Sequence, residues 1–142
     1  MTLHLIKLCV GADSIEDLAD WQKKRAAERK KKGGTGDIMH ITRMTPKRGP
    51  ELLAGGSLYW VIKGQIAVRQ KLLALKPVVR EGVPHCALVL DMKLVPTVRR
   101  NHRAFQGWRY FDPDDAPRDL KARDKGALPE SLHAELTQLG LI

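Results

Sequence analysis

Cysteine is scarce. Cys9 and Cys86 are the only two among 142 residues, and each sits inside an apolar, strand-like pattern. Two free buried thiols are expected, not a disulfide framework. No apolar run approaches the roughly 20 residues of a membrane span. The first residues show no basic segment followed by an apolar run and a small-residue cleavage site. A cytoplasmic chain without a secretory signal is therefore expected. Serine is rare as well: Ser14, Ser57 and Ser131 are the three. None lies in a nucleophile-elbow context, which argues against a serine hydrolase. The GGTG at Gly33–Gly36 lacks the spacing and the following Lys-Ser/Thr of a phosphate loop. His4, His40, His85, His102 and His133 are scattered, with none at ligand spacing from another His or Cys. No metal and no cofactor are expected.

Positive charge is what the chain has in excess, with a net charge of +9. Most of it lies in Trp21–Arg48. Lys23, Lys24, Arg25, Arg29, Lys30, Lys31, Lys32, Arg43, Lys47 and Arg48 stand there against Glu28 and Asp37, ten cations to two acids, a net +8. A concentrated basic stripe suits a polyanionic partner, usually nucleic acid. A solvated helix end and loop explain the same stripe without a partner.

Taken in order, Thr2–Val10 predicts a strand with both faces mostly apolar, hence covered on both sides. Lys7 is the odd residue on it. A lysine in that setting is more often a snorkelling strand end than a functional group. Ser14 with Asp17 resembles a capping box. Helix Ile15–Lys31 comes next, with Ile15, Leu18, Ala19, Gln22 and Ala26 as its inner stripe and Trp21 at the border. Its acids lie early and its bases late, which complements the helix dipole. Gly33 and Gly34 stop it and open a glycine linker, so residues 23–36 read as a basic helix extension plus linker. Ile38–Arg43 is a second strand, and Glu51–Ala54 a short helix.

Gly55–Pro77 is the organising stretch. Ser57–Lys63 reads as a strand centred on Tyr59 and Trp60. Gln65–Lys76 reads as its partner, turned at Gly64 and closed by Pro77, ahead of a rival helix over Ile66–Leu75 that its Gln, Lys, Leu and Ala content favours. On it Ile66, Val68, Gln70, Leu72 and Ala74 should share one face. Residues 80–84 form a hairpin turn, and Cys86–Asp91 an interior strand. Arg99, Arg100, His102 and Arg103 form a second basic cluster in a loop. Gly107–Phe111 is the last strand, with Trp108 and Tyr110 on one side and Arg109 on the other. Residues 129–140 predict a C-terminal helix docked through Leu132, Leu136 and Leu139. One domain spans residues 1–142.

Rings that stack on bases beside cations that neutralise phosphates are the pattern of nucleic-acid modules. Lys47, Arg48, Arg99, Arg100 and the late bases of the first helix would contact phosphates. Trp60 or Trp108 would stack, although a tryptophan in a small barrel is more often core. Lys7, Arg43 or Lys63 would contact the base, with Arg69, Arg103 and Arg109 nearby.

Through its opening HLIKLCVGADSIEDL and its FQGWRY stretch, the chain resembles a family of short bacterial proteins classed as a domain of unknown function. More distantly it resembles the PUA-like superfamily, above all the EVE and ASCH branches. Leu5-Ile6-Lys7, Ser14-Ile15-Glu16-Asp17-Leu18, Arg43, Gly55-Gly56, Tyr59-Trp60 and Gln65-Ile66 occur in the EVE order. His4 or Leu5 replaces the opening tryptophan, and Gly-Gly replaces Gly-Asp. The resemblance implies an α+β fold: a small curled, mixed or antiparallel sheet (a partial barrel) with N-terminal, short and C-terminal helices at its edge. It implies a pocket between the first strand, the Arg43 segment and the central hairpin, and the recognition of RNA or a modified base. The ASCH likeness implies an alternative, a small amidohydrolase of modified nucleosides using Lys7, Thr42 or Thr45, and Glu51. Nucleic acid is thus the expected partner, RNA ahead of DNA. No membrane is expected, and an acidic protein partner is the third reading.

Overall fold

The computed structural model describes residues 2–120. The order is β1 (His4–Leu8), α1 (Ile15–Lys31), β2 (Ile38–Thr42), α2 (Gly49–Leu53), β3 (Ser57–Ile62), β4 (Gln65–Arg80), β5 (Val83–Leu90), β6 (Val95–Asn101) and β7 (Trp108–Phe111). The fold is α+β. Seven strands form one open, curled sheet in the order β2-β5-β4-β3-β1-β7, with β6 on β4. Among the described residues only the β1–β3 pair is parallel. The helix expected at 129–140 lies outside the described residues.

Strand β4 is the spine. Its first half pairs with β3 and β6, and its second half with β5. The β3–β4 turn has Lys63 at φ 50° and Gly64 at φ 76°. The β4–β5 turn repeats this with Glu81 at 51° and Gly82 at 77°. Two successive left-handed residues make the two-residue turn whose twist matches its flanking strands. The central hairpin is therefore as expected, but β4 does not close at Pro77. It runs on to Arg80, with Pro77 opposite Cys86. That half of β4 pairs with β5 alone among the described residues, the edge setting in which proline is tolerated.

The expected alternation along β4 is also corrected. Val61 pairs with Ile66 and Trp60 with Val68, so Ala67 is an extra residue; Leu73 is another, between Leu72 and Ala74. Each bulge reverses the facing of the residues after it. Ile66 consequently packs with Ile6, Tyr59, Val61 and Phe111 on one side of the sheet. Val68 and Leu72 join Leu5, Leu58, Trp60 and Leu88 on the side that α1 covers. Arg99 and Arg100, expected in a loop, lie in β6. Its Thr97 and Arg99 point inward and are buried.

Helix α1 begins where Ser14 Oγ accepts from Asp17 N at 3.1 Å. The Asp17 carboxylate returns to Asp13 N, one residue before the usual capping-box donor. The helix ends in a Schellman cap: Gly33 N donates to Lys30 O, and Gly34 N to Arg29 O at 2.9 Å. Leu18, Gln22 and Ala26 form the buried seam. Gln22 makes that seam specific. Its amide pairs reciprocally with that of Gln70, at 2.7 and 2.8 Å. Gln70 also accepts from Trp60 Nε1 at 2.9 Å and donates to Asp91 O at 3.0 Å. Both free cysteines are buried.

Replacing Gln70 by Leu leaves the Gln22 amide, the Trp60 N–H and the Asp91 carbonyl unpaired in the core. The expected loss is about 3 kcal/mol of unfolding free energy by urea titration, because each unsatisfied buried group costs about 1–3 kcal/mol. Gly56 admits no side chain, since a Cβ there would lie 2.2 Å from Leu3 O and 2.3 Å from Leu52 O. Gly56→Ala is expected to lose about 3 kcal/mol. Gly64→Ala, strained only in its backbone with open space around it, should lose about 1 kcal/mol. Equal losses at the two glycines would contradict the close-approach account.

Candidate functional site

Side-chain parity places Lys7 with Leu5 and Cys9 on the side of β1 that faces α1. Across the ladder, Lys7 is opposite Trp60 of β3 and Trp108 of β7. On α1 a second stripe runs beside the buried seam: Trp21, Lys24 and Arg25, Glu28 and Arg29, and Lys32, three or four residues apart. This stripe walls a cavity of about 680 Å³. Lys7, Leu8 and Val10 come from β1 and its end, Met39, His40 and Ile41 from β2, Trp60 from β3, and Arg80 from the tip of β4.

Six cations face this volume, Lys7, Lys24, Arg25, Arg29, Lys32 and Arg80, with Glu28 as the sole acid among the described residues. The Arg25 guanidinium carbon lies over Trp21, 4.4 Å from the ring centre. Arg29 donates from Nη2 to Asp37 O at 2.5 Å, while its buried Nε has no partner among the described residues. Burial, then Arg25 and Arg80, lower the basicity of Arg29, and Asp37 partly offsets them. Burial also lowers that of Lys7, with an opposing effect from Cys9. His40 stands edge-on to Trp60, ring centres 5.3 Å apart. Burial, then Lys7 and Arg25, bring its pKa down to about 4. The floor is thus a neutral imidazole beside a partly desolvated ammonium, under a cationic wall.

The other predicted residues are distributed elsewhere. Trp60 is 1% exposed and belongs to the core, so its ring offers no open face for stacking. Trp108 is half-buried and donates from Nε1 to Met44 O at 2.8 Å. It stands edge-on to Tyr110, 5.0 Å between ring centres. The Tyr110 hydroxyl accepts from the backbone N–H of Lys47 and Arg48, at 2.9 and 3.2 Å. Arg48 reaches over the Tyr110 ring and pairs with Glu51 at 2.5 Å. Exposed Lys47, Arg48 and Tyr110, with half-buried Trp108, make an aromatic and basic patch. Because Trp108 is the ladder neighbour of Lys7, the patch adjoins the cavity floor.

Arg43 is exposed just past β2, and Lys63 is exposed at the tip of the central hairpin. Arg69 is held by Asp119 through two contacts of 2.7 Å and reaches Ser57 Oγ at 3.0 Å. Arg99 is buried, Arg100 donates to Asp115 O, Arg103 is exposed, and Arg109 covers the Phe105 ring at 5.0 Å. Lys7, Thr42 and Glu51 do not share the cavity. Thr42 is buried opposite Cys86, and the Glu51 carboxylate is taken by Arg48. Sequence reasoning missed Arg80 and His40. Nothing local marks either one, since their meeting depends on β4 outrunning Pro77 and on the sheet's curl.

Among the described residues no three of His, Cys, Asp and Glu gather as metal ligands, and no helix is long and apolar enough to cross a membrane. The model of a family described as "Protein of unknown function (DUF1489)" matches residues 5–142. No curated protein and no solved structure matches the chain.

His40 makes stability depend on pH. An unfolded histidine titrates near 6.5, and the folded value is about 4. Between those values the unfolded chain binds a proton that the folded chain does not, so stability falls as pH falls. The full effect is about 3 kcal/mol, absent above pH 6.5 and complete below about pH 4. His40→Gln is expected to flatten this part of the urea-midpoint profile between pH 7 and pH 4.5. An unchanged slope would show that another group titrates.

Proposed function

The chain belongs to the DUF1489 family, and from its own geometry we propose that it is a nucleic-acid-binding module, for RNA ahead of DNA, that takes a nucleotide into the α1–sheet cavity. The observation that carries this reading is the cavity itself: six cations and one acid around a volume of about 680 Å³. Binding cavities for small molecules run about 300–1,000 Å³. Trp21 gives it an apolar wall for the flat face of a base. Lys7 and neutral His40 on the floor present polar atoms to the base edge. From there the strand would pass over Trp108 and Tyr110, with Lys47 and Arg48 at its phosphates. Trp108 thus takes the stacking role in this reading, and Trp60 supports the floor. Extruding a base from a duplex costs a few kcal/mol, so single strands are favoured.

A PUA-like relation is part of the same proposal. It is supported by the order β1, capped helix, short helix and glycine-turned hairpin around one curled sheet. The partly desolvated Lys7 is the observation that favours the amidohydrolase reading. Against that reading stands the separation of Thr42 and Glu51 from the cavity.

Binding of short single-stranded and duplex RNA and DNA, titrated against salt, tests the proposal. Single-stranded RNA is expected to bind best, with a log–log salt slope of about −0.7 for each phosphate contacted. The double substitution Lys24→Glu, Arg25→Glu should weaken binding at least tenfold while the thermal midpoint holds. No binding at low salt would overturn the reading. Turnover of an acylated nucleoside, lost in Lys7→Ala, would replace it with the hydrolase.

A further inference from the structure

Building on the nucleic-acid reading, we propose that the cavity receives the phosphorylated end of a strand, a terminal phosphomonoester, in preference to an internal nucleotide. Charge is the first support. An internal phosphodiester carries one negative charge, whereas a terminal phosphate carries about 1.5 to 2 at pH 7. Lys24, Arg25, Arg29, the cap residue Lys32 and Arg80 converge on one volume with only Glu28 to offset them among the described residues. A phosphomonoester brings more negative charge to one point of that volume than a phosphodiester does.

Preorganisation is the second. Arginine presents a planar fork that matches phosphate oxygens in pairs. Arg25 is laid against Trp21, and Arg29 is tethered to Asp37 O, so two of the three forks are held before any ligand arrives. Lys24, Lys32 and Arg80 are exposed at the rim and able to close on an anion.

Calorimetric titration with one eight-nucleotide RNA in three forms tests this: 5′-phosphate, 3′-phosphate, and hydroxyl at both ends. One phosphorylated form is expected to bind at least tenfold tighter than the hydroxyl form, and which one identifies the end. The preference should fall toward unity in Arg80→Gln and in Lys24→Gln with Arg25→Gln, both changes at exposed positions. Equal affinity for all three forms would overturn the end assignment and leave the nucleic-acid reading standing. A preference that survives both variants would also overturn it, by placing the phosphate elsewhere. A nucleoside 5′-monophosphate that binds while no strand does would assign the cavity to free nucleotides and overturn both readings.

Discussion

Two glutamine amides in the core hold this structure in register. Gln22 and Gln70 bond to each other twice, and the remaining capacity of Gln70 is used by the Trp60 indole and the Asp91 carbonyl. Each bond has a net worth of only about 1 kcal/mol, but a buried amide left unpaired costs more than that. The asymmetry matters because the apolar seam of α1 is thin. Leu18 and Ala26 are its buried apolar members, with Ile15 and Trp21 packed at the margin. Burial of so few side chains does not fix the rotation of a helix about its own axis, whereas a two-point hydrogen bond does. A turn of one residue would bring Trp21 or Lys23 toward the sheet and break the amide pair. The direction of the cationic stripe is therefore set by Gln22, which is not itself part of the cavity.

The second constraint is the length of β4. At about 3.3 Å per residue, sixteen residues span roughly 50 Å. The strand leaves the central hairpin near β1 and ends beside the late turns of α1. It bends because of the bulges at Ala67 and Leu73. This is how Arg80, far from Lys7 along the chain, comes to share a cavity with it. Arg80 also comes near Arg29, whose basicity is lowered first by burial, then by Arg25 and least by Arg80, with Asp37 opposing.

Much of the fold was legible because it rests on local chemistry. The Ser14 cap, the glycine stop after α1, the Gly64 turn and the β7 alternation of Trp108 and Tyr110 against Arg109 each arise from backbone and side-chain preferences within a few residues. The bulges were not legible, since an extra residue in a ladder reads as ordinary alternation until its partner strand is known. Pro77 misled because its effect depends on whether its strand has one neighbour or two. Arg99 and Arg100 misled because a basic run reads as loop, while inward Thr97 and outward Val98 are a strand pattern only beside β4. Of the candidate site, Lys7 and the helix bases were visible as charge in odd places. The cavity that joins them was not, since it is a product of curl.

The basic end of α1 had two explanations in the sequence, and their magnitudes now separate. Complementing a helix dipole stabilises by about 0.3–1 kcal/mol per cation and fades beyond the last turn. That accounts for Arg29, Lys30 and Lys31. It does not reach Lys24 and Arg25, nearly two turns earlier, and it does not involve Arg80 or Lys7 at all. Those four stand among like charges; of two groups facing the same volume, Lys7 is held toward its neutral form by burial, and His40 by burial first and then by Lys7 and Arg25. Folding gains nothing from that crowding, which opposes the compact state. The anion proposed for the cavity would turn that repulsion into attraction, which the dipole alone does not do.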